Sequence, residues 1–528
     1  MRNNKITRTI GIIVASFFSV SFFTILLSVI IKGYENEIDS NTFSCNHKQH
    51  LIIIFGGIVF TALLFVLYDA GQKVCQYNRI QNSKHKDRYT KIIIFAVCGL
   101  ILIGQMLFGY LLACKPVTDL EILNNYAKNF AKTGTWDKIQ QDITTGKTDY
   151  MARYPNNAAL LVILSVIYRI DYLLTGYVSR YLPVIINTLL INISIILTCL
   201  TARRILGNRK AIYTLILCAF FAPYYTYTAF FYTDSFSLPF VIGSIYTFVV
   251  AMQSENKRVK KYVFMGITGL LLLLGFKIKG SVIIILCAIV VYMLIKLKIK
   301  QFATMFLVLI LAFGSCMFIY NKAMDSLNIV TKEQYYEREY PATHWVMMGL
   351  NKLGGYNKED SKLTSSVKGK DNKIAMNIDE IKNRISEYSS KNRLNGEVDL
   401  ISHIGRKMVW TWEDGTYYIT HHIKKPIKKD TFLRPYLDKD GKHHYRFVFY
   451  CCAYQLMLLS LVTFSAIKDI KKKKFDEKML LRIALMFGVV FFIVWEARSR
   501  YIFNLTPMLL ILAADGLSFN PKKIFKKK

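Results

Sequence analysis

Asp119 is the residue of this chain best placed to take a proton. It stands in Thr118-Asp119-Leu120-Glu121, just beyond an apolar segment that ends near Cys114. An acidic residue where a span leaves the bilayer is costly to place without use. A carboxylate there can meet a substrate held in the membrane and act as a general base, because a hydroxyl that attacks a carbon must lose its proton as the bond forms. The plainer alternative is a solvated loop start, with Asp119 capping a helix that begins near Leu120. Glu121 is two residues further on, which on a helix points it elsewhere; it is a candidate for binding an acceptor or a metal. Tyr232-Thr233-Asp234-Ser235 interrupts an aromatic, apolar region that follows Pro223-Tyr224-Tyr225. Asp234 is either the cap of the next span or a second carboxylate binding sugar hydroxyls, with Tyr232 beside it. Tyr154-Pro155-Asn156-Asn157 reads as a helix start: proline suits the first turn and the asparagines can bond free backbone groups. Tyr154 and Asn156 join the candidates for sugar or acceptor contact.

Four cations accompany these acids. Lys277 and Lys279 lie in the turn Phe276-Lys277-Ile278-Lys279-Gly280, and Arg498 and Arg500 in Glu496-Ala497-Arg498-Ser499-Arg500-Tyr501. They either snorkel to headgroup level or hold the phosphate of a leaving group, where cations stabilise developing charge and arginine does so with two parallel bonds. Trp345, in Tyr340-Pro341-Ala342-Thr343-His344-Trp345, and Trp412, in the stretch from Trp410 to Thr416, can stack on sugar rings or serve as packing anchors. His344 stands alone, and the pairs His421-His422 and His443-His444 are poorly spaced for one metal. No cofactor is called for; a divalent cation is compatible with such chemistry, but no ligand spacing indicates one.

The elements that must position these groups are membrane spans. The chain has 528 residues, 53% hydrophobic and 14% aromatic, an apolarity a soluble domain of this length rarely reaches. Its mean hydropathy is +0.29. Twelve apolar segments are expected near 8–32, 51–70, 92–113, 183–203, 211–229, 236–253, 262–276, 281–296, 302–320, 447–467, 479–496 and 501–516, most with the roughly 17–25 residues that cross a bilayer. The first has no small-residue cleavage site and reads as an uncleaved span.

The formal net charge is +34. It is spread over short loops such as Lys73–Lys91 and Lys471-Lys472-Lys473-Lys474 and over the tail Lys526-Lys527-Lys528, so it reads as cytoplasmic charge near anionic lipid and not as a nucleic-acid surface. Arg2, Lys5 and Arg8 put the N-terminus inside, and Glu35, Glu37 and Asp39 put the first loop outside. Residues 114–155 are then extracytoplasmic. Counting the apolar stretch 157–173 as a span would invert every later basic loop, so we read it as an interfacial or re-entrant helix on the outer face. The four cations then lie on the side where the rule disfavours them. Cys45 is alone in an outer loop, the other cysteines sit mostly in spans, and no structural disulfide is expected.

This organisation divides the chain into two added N-terminal helices (1–90), a membrane core (91–320) with an outer catalytic loop at 114–182, an extracytoplasmic domain (321–446) and C-terminal helices with a basic tail (447–528). The length of 321–446 and its alternating polar stretches predict a small mixed α/β domain. It contains a helix near 376–391, where Met376, Ile378, Ile381, Ile385 and Tyr388 recur at helical spacing, and a mobile Lys/Ser-rich loop at 356–375.

Taken together, Asp119, Tyr154-Pro155-Asn156-Asn157, Tyr232-Thr233-Asp234, Lys279-Gly280 and Glu496-Ala497-Arg498-Ser499-Arg500-Tyr501 resemble the GT-C class of membrane glycosyltransferases. The resemblance covers roughly 90–320 and 445–516. It is nearest to the protein-mannosyltransferase and aminoarabinose-transferase-like group (glycosyltransferase family 39-like) in its Gram-positive branch. It implies a polytopic α-helical enzyme of the plasma membrane whose active site faces outward. It also implies a polyprenyl-phosphate sugar donor, an extracytoplasmic glycan, teichoic acid, glycolipid or protein as acceptor, and inverting transfer. One departure is visible: members often carry adjacent Asp-Glu in the first loop, whereas Leu120 separates Asp119 from Glu121. A flippase or exporter of lipid-linked sugars is the alternative from another class. Transporters tend to place charge at the midplane and to show paired repeats, neither of which is visible. A glycan polymerase or ligase would share the outward arginines.

Overall fold

A computed structural model describes residues 5–33, 46–77, 86–254, 257–352, 354–472 and 475–519. Cys45, the acids at 35, 37 and 39, Lys473, Lys474 and the tail lysines lie outside the described residues. The chain opens with α1 (Lys5–Lys32), α2 (His47–Tyr77) and α3 (Lys86–Leu112). Three short helices follow, α4 (Asp119–Thr133), α5 (Asp137–Thr144) and α6 (Tyr150–Arg153), then a 3-10 turn at Pro155–Asn157 and α7 (Ala158–Thr175). The bundle continues as α8 (Leu182–Leu206), α9 (Asn208–Phe220), α10 (Pro223–Thr226), α11 (Thr233–Phe236), α12 (Leu238–Met252), α13 (Arg258–Ile278), α14 (Ile283–Lys296) and α15 (Ile299–Leu327). A cap comprises α16 (Lys332–Arg338), α17 (Ala342–Gly349), α18 (Lys358–Ser366), α19 (Lys370–Ser390), α20 (Leu400–Trp412), α21 (Ile419–His422) and α22 (Arg434–Leu437). The chain returns through α23 (His444–Lys472), α24 (Lys478–Val494) and α25 (Thr506–Gly516).

Among the described residues nine helices are long and apolar enough to cross a membrane, with Gly280–Lys296 a shorter apolar one; twelve were expected. The difference has local causes. The segment 211–229 is broken where α9 ends at Phe220, and Pro223 starts a new short helix. Part of 501–516 is a 3-10 helix, Ser499–Leu505, before the 11 residues of α25. The backbone between α9 and α11 is irregular, yet it is buried in protein and its carbonyls find partners, as such segments require at membrane depth. Gln105 Nε2 donates to Tyr224 O at 2.9 Å, and Asn187 Nδ2 donates to Tyr227 O at 2.8 Å. Helix α12, with 89% of its apolar window covered, lies at the centre against α8 and α13.

By length and hydropathy Pro155–Thr175 qualifies as a span, but its surroundings place both ends of α7 at one end of the bundle. It starts at Asn157, next to the start of α4. Along its length Tyr168 Oη donates to Asn124 Oδ1 at 2.6 Å and Arg169 Nη1 to Ala131 O at 2.7 Å. It then leads into α8, whose Val184 packs on Gly109 near the end of α3. Val166, Ile170, Leu173 and Leu174 stay exposed on its far side, an apolar stripe suited to lying along a membrane interface.

At the opposite end, Asp515 of α25 pairs with Lys210 and with Lys468, the latter at 2.7 Å. Asp469 pairs with Lys478 and, at 2.8 Å, with Arg482, which is completely buried. Buried charges persist only when paired in this way. The cluster ties α9, α23, α24 and α25 together.

The cap corrects the mixed α/β expectation: the described residues of 321–446 form helices, and their one extended pairing is an isolated antiparallel bridge between Cys114 and Pro426. The expected loop at 356–375 holds α18 and the start of α19, the latter containing the expected helix near 376–391. Three of its helices, α16, α18 and α20, begin at capping side chains. Thr331 forms a reciprocal box with Gln334, Asn357 accepts from Asp360 N, and Asp399 accepts from Ser402 N. Helix α2 packs on α23 with 17% of its apolar window covered, whereas α1 is set deeper. Helix α1 packs on α20, α23 and α24, and its Phe22 meets Trp412 edge-on at 5.4 Å.

Candidate active site

At the end of the bundle carrying the cap, the starts of α4, α7 and α11 converge with the turns after α13 and α24. Thr118 has φ 54° and ψ −133°, a left-handed backbone costly for a β-branched residue. This kink makes Asp119 the first helical residue of α4. It is half-buried, in a first turn where a carboxylate is favoured by the helix dipole. Thr118 occupies the cap position, so Asp119 is not consumed as the cap.

Tyr232 Oη donates to Asp119 Oδ2 at 3.2 Å and lies 3.5 Å from Asn157 Oδ1. Asn157 Nδ2 in turn donates to Tyr150 Oη at 2.7 Å. One phenol thus links the first turns of three elements. Burial first, and then the Asp119 carboxylate, raise the Tyr232 phenol well above its ordinary range, so it remains a donor.

Behind it, Asp234 forms an ion pair with Lys279; their side chains are 2% and 11% exposed. The second Asp234 oxygen, Oδ2, is buried and has no hydrogen-bond partner among the described residues. Lys279 Nζ lies 5.5 Å from the centre of the Tyr501 ring, and Tyr501 Oη donates to Glu496 Oε1 at 2.8 Å. Burial raises the Glu496 carboxyl, against the Tyr501 hydrogen bond and the charges of Arg498 and Arg500.

Arg500 stands between these groups. Its guanidinium is 5.4 Å from the centre of the Tyr232 ring and 5.0 Å from that of Tyr501. Nη1 is 3.5 Å from His422 Nε2, at the limit of a hydrogen bond. Burial and then Arg500 push His422 well down, which keeps the imidazole neutral. Among the described residues Arg500 forms no ion pair. Arg498 sits over Tyr418 at 4.8 Å and over Trp410 at 5.5 Å.

The remaining expected residues divide. Tyr154 is half-buried and packs on Tyr340 at 5.2 Å and on Trp345 at 6.0 Å, which puts Trp345 beside the cluster. Four others lie elsewhere. Glu121 is on the exposed rim, 3.4 Å from Lys425. Asn156 faces solvent while Asn157, 3% exposed, faces inward. Lys277 turns away to Asn321 Oδ1 at 2.9 Å and to the Tyr320 ring. Trp412 is fully buried in the core.

Three residues join the site that sequence reasoning did not single out for it: Asn157, His422 and Asp414. Asp414 Oδ2 accepts from Ser499 Oγ at 2.7 Å and from Tyr418 N at 2.9 Å, tying the cap to the basic turn. Among the described residues no three His, Cys, Asp or Glu side chains are grouped to hold a metal ion.

Fold and site together define a multi-pass helical membrane protein with a charged, aromatic cluster at one end of its bundle. The chain belongs to the family described as conserved hypothetical integral membrane protein, whose model matches residues 3–519. Among solved structures it is similar to the archaeal oligosaccharyltransferase AglB from Archaeoglobus fulgidus, in complex with an inhibitory peptide and a dolichol-phosphate. That match has 13% identity and a TM-score of 0.42 and covers 83% of this chain and 51% of that one; the chain thus spans about half of AglB. It is also similar to ArnT from Cupriavidus metallidurans in the apo state, with 11% identity, a TM-score of 0.34 and coverage of 81% and 77%. No curated protein matches.

Proposed function

We propose that this protein is a GT-C-type membrane glycosyltransferase that moves a sugar from a polyprenyl-phosphate-linked donor to a hydroxyl acceptor on the extracytoplasmic side. The observation that carries the reading is the half-buried Asp119 carboxylate, oriented by Tyr232 at 3.2 Å, with the Arg500 guanidinium over the same tyrosine ring. Acid and cation thus lie on two sides of one phenol, as a displacement needs when a base acts at one end and a charge stabiliser at the other.

In this mechanism the acceptor oxygen attacks the anomeric carbon, its proton passes to Asp119, and the bond from that carbon to the phosphate oxygen breaks with inversion. The electron pair leaves on the polyprenyl phosphate, whose growing charge faces Arg500, with Arg498 on the same turn. Lys279 is held by Asp234, so its positive charge is largely spent inside the protein, and the pair fixes the floor behind Arg500. Neutral His422 adds no competing charge. Tyr154 and Trp345 offer aromatic faces for the sugar.

The test is transfer from a panel of polyprenyl-phosphate sugars by the purified full chain. Asp119→Asn keeps shape but takes no proton, and should lower the rate about 10²–10⁴-fold with unchanged melting. Near-wild-type turnover by that variant would remove Asp119 as the base.

A further inference from the structure

A cavity opens on the other side of α4 from the Asp119–Tyr232 contact. It has a volume of about 280 Å³ and is lined in part by Lys115, Lys128, Arg180, Glu121, Asn124 and Asn125. This is near the lower end of small-molecule sites, about 300 Å³, the size of a headgroup and not of a whole lipid.

Its charge is unbalanced. Lys115, Lys128 and Arg180 have no carboxylate within ion-pair distance among the described residues, and Glu121 is engaged by Lys425 at 3.4 Å. Asp171 forms no ion pair with Arg180 among the described residues; its Oδ2 accepts Ser179 N at 2.5 Å and shapes the loop that presents Arg180. The Asn124 carboxamide oxygen is taken by Tyr168 Oη, leaving its NH₂ as the group it can offer. Burial first, then Arg180 and Lys132, push Lys128 down: three cations are crowded together.

The cap adds more positive charge at the mouth. Lys424-Lys425-Pro426-Ile427-Lys428-Lys429 lies along the end of α3, with Lys115 N donating to Lys425 O at 2.8 Å and Ile427 N to Ala113 O at 2.9 Å. A fixed backbone pairing therefore holds a lysine-rich segment over a pocket already rich in cations. Such crowding is stable where an anion is to be taken up.

We infer that this cavity binds a phosphate ester carried by the acceptor, a lipid headgroup or a polyol phosphate, so that a neighbouring hydroxyl of the same molecule reaches Asp119 around the first turn of α4. The acceptor role rests on the transferase reading above; the anion site does not. Glu121 lies on the wall of this cavity and closes its rim through Lys425, which also explains an acid two residues from the base that points away from it.

The experiment is direct binding to the purified full chain. Glycerol phosphate and inorganic phosphate are titrated by calorimetry, and retention of phosphatidylglycerol against phosphatidylcholine is read by native mass spectrometry. Saturable binding of at least one phosphate ester is expected, weakened about tenfold in Lys128→Gln and in Arg180→Gln. Arg180→Lys should retain most of it, and Lys362→Gln, on exposed α18, all of it. Preference for glycerol phosphate identifies a soluble polyol phosphate as the source, and selective retention of phosphatidylglycerol identifies a lipid headgroup. No saturable binding, or undiminished binding in both glutamine variants, overturns the site and leaves the transferase reading untouched. Saturable binding by a wild-type protein that transfers no sugar from any donor leaves the site standing and removes the transferase.

Discussion

The Tyr232 hydroxyl reaches Asp119 Oδ2 across 3.2 Å, joining residues 113 positions apart in the chain and holding the first turn of α4 against that of α11. The contact is what orients the carboxylate, since Thr118 supplies only the backbone kink. Tyr232→Phe removes the bond without changing the ring on which Arg500 rests. The expected result is a fall of about tenfold in kcat, the scale of one hydrogen bond to a charged group, with little change in KM for the donor. An equal loss in KM would make Tyr232 a binding residue instead.

Arg500 and Lys277 separate cleanly. Arg500 lies against Tyr232, Tyr501 and His422, whereas Lys277 is bonded to Asn321. Arg500→Ala should cost about 1.5–3 kcal/mol in kcat/KM, and Arg500→Lys should recover part of it, since the planar fork is lost. Lys277→Ala should leave turnover near that of the wild type. A severe Lys277 defect, with normal melting, would show that the cation is used in a state other than this one.

The Asp234–Lys279 pair is buried, so each partner alone is a liability. Asp234→Asn or Lys279→Met should destabilise by about 3–5 kcal/mol, because an uncompensated charge remains. The double variant Asp234→Leu/Lys279→Met should recover much of the lost melting temperature while transfer stays impaired. Thermal unfolding in detergent and the transfer assay, run on all three, check this. Recovery of both readouts would mean that the pair has no part in the chemistry.

In the cap, His344 is completely buried, with Nδ1 2.7 Å from Thr364 Oγ1. Burial pushes its pKa down to about 4 from an ordinary 6.5. The unfolded chain therefore binds the proton first. The neutral ring's contribution is complete above pH 6.5 and is lost as pH falls toward 4, a total of about 3 kcal/mol. Protection of the α17–α19 amides, taken relative to the intrinsic exchange rate at each pH, should fall between pH 6.5 and 4, and His344→Gln should flatten that dependence. Exchange with no added pH dependence in the wild type would count against a buried neutral histidine.

Much of the membrane architecture is legible from residue types alone: the apolar segments, the acid at the exit of α3 and the basic turns. What escaped depends on phase. Asn156 and Asn157 are equivalent in composition, but the 3-10 turn at Pro155–Asn157 rotates the second inward. Lys277 and Lys279 differ because Lys277 belongs to the last turn of α13 while Lys279 is already extended, with φ −147°. Trp410 and Trp412 share one short helix; the first stands beside Arg498 and the second fills the core. Polar alternation in the cap was read as strand, although the capping pairs Thr331/Gln334, Asn357/Asp360 and Asp399/Ser402 were present to announce helices. His422 gave no signal of its own: its place is set by stacking on Phe230 at 4.1 Å, a contact between segments far apart in the chain.

The packing of α1 against α20, α23 and α24 has a consequence for synthesis. The helix is made well before the partners that cover its inward face, which lie about four hundred residues later. At about 5–20 residues per second, α1 must wait in the lipid for roughly 20–80 s, its buried-to-be serine and threonine facing acyl chains or a temporary escort. Maturation of this protein is therefore a late closure, in which α20, α23 and α24 complete the surroundings of a helix made long before them.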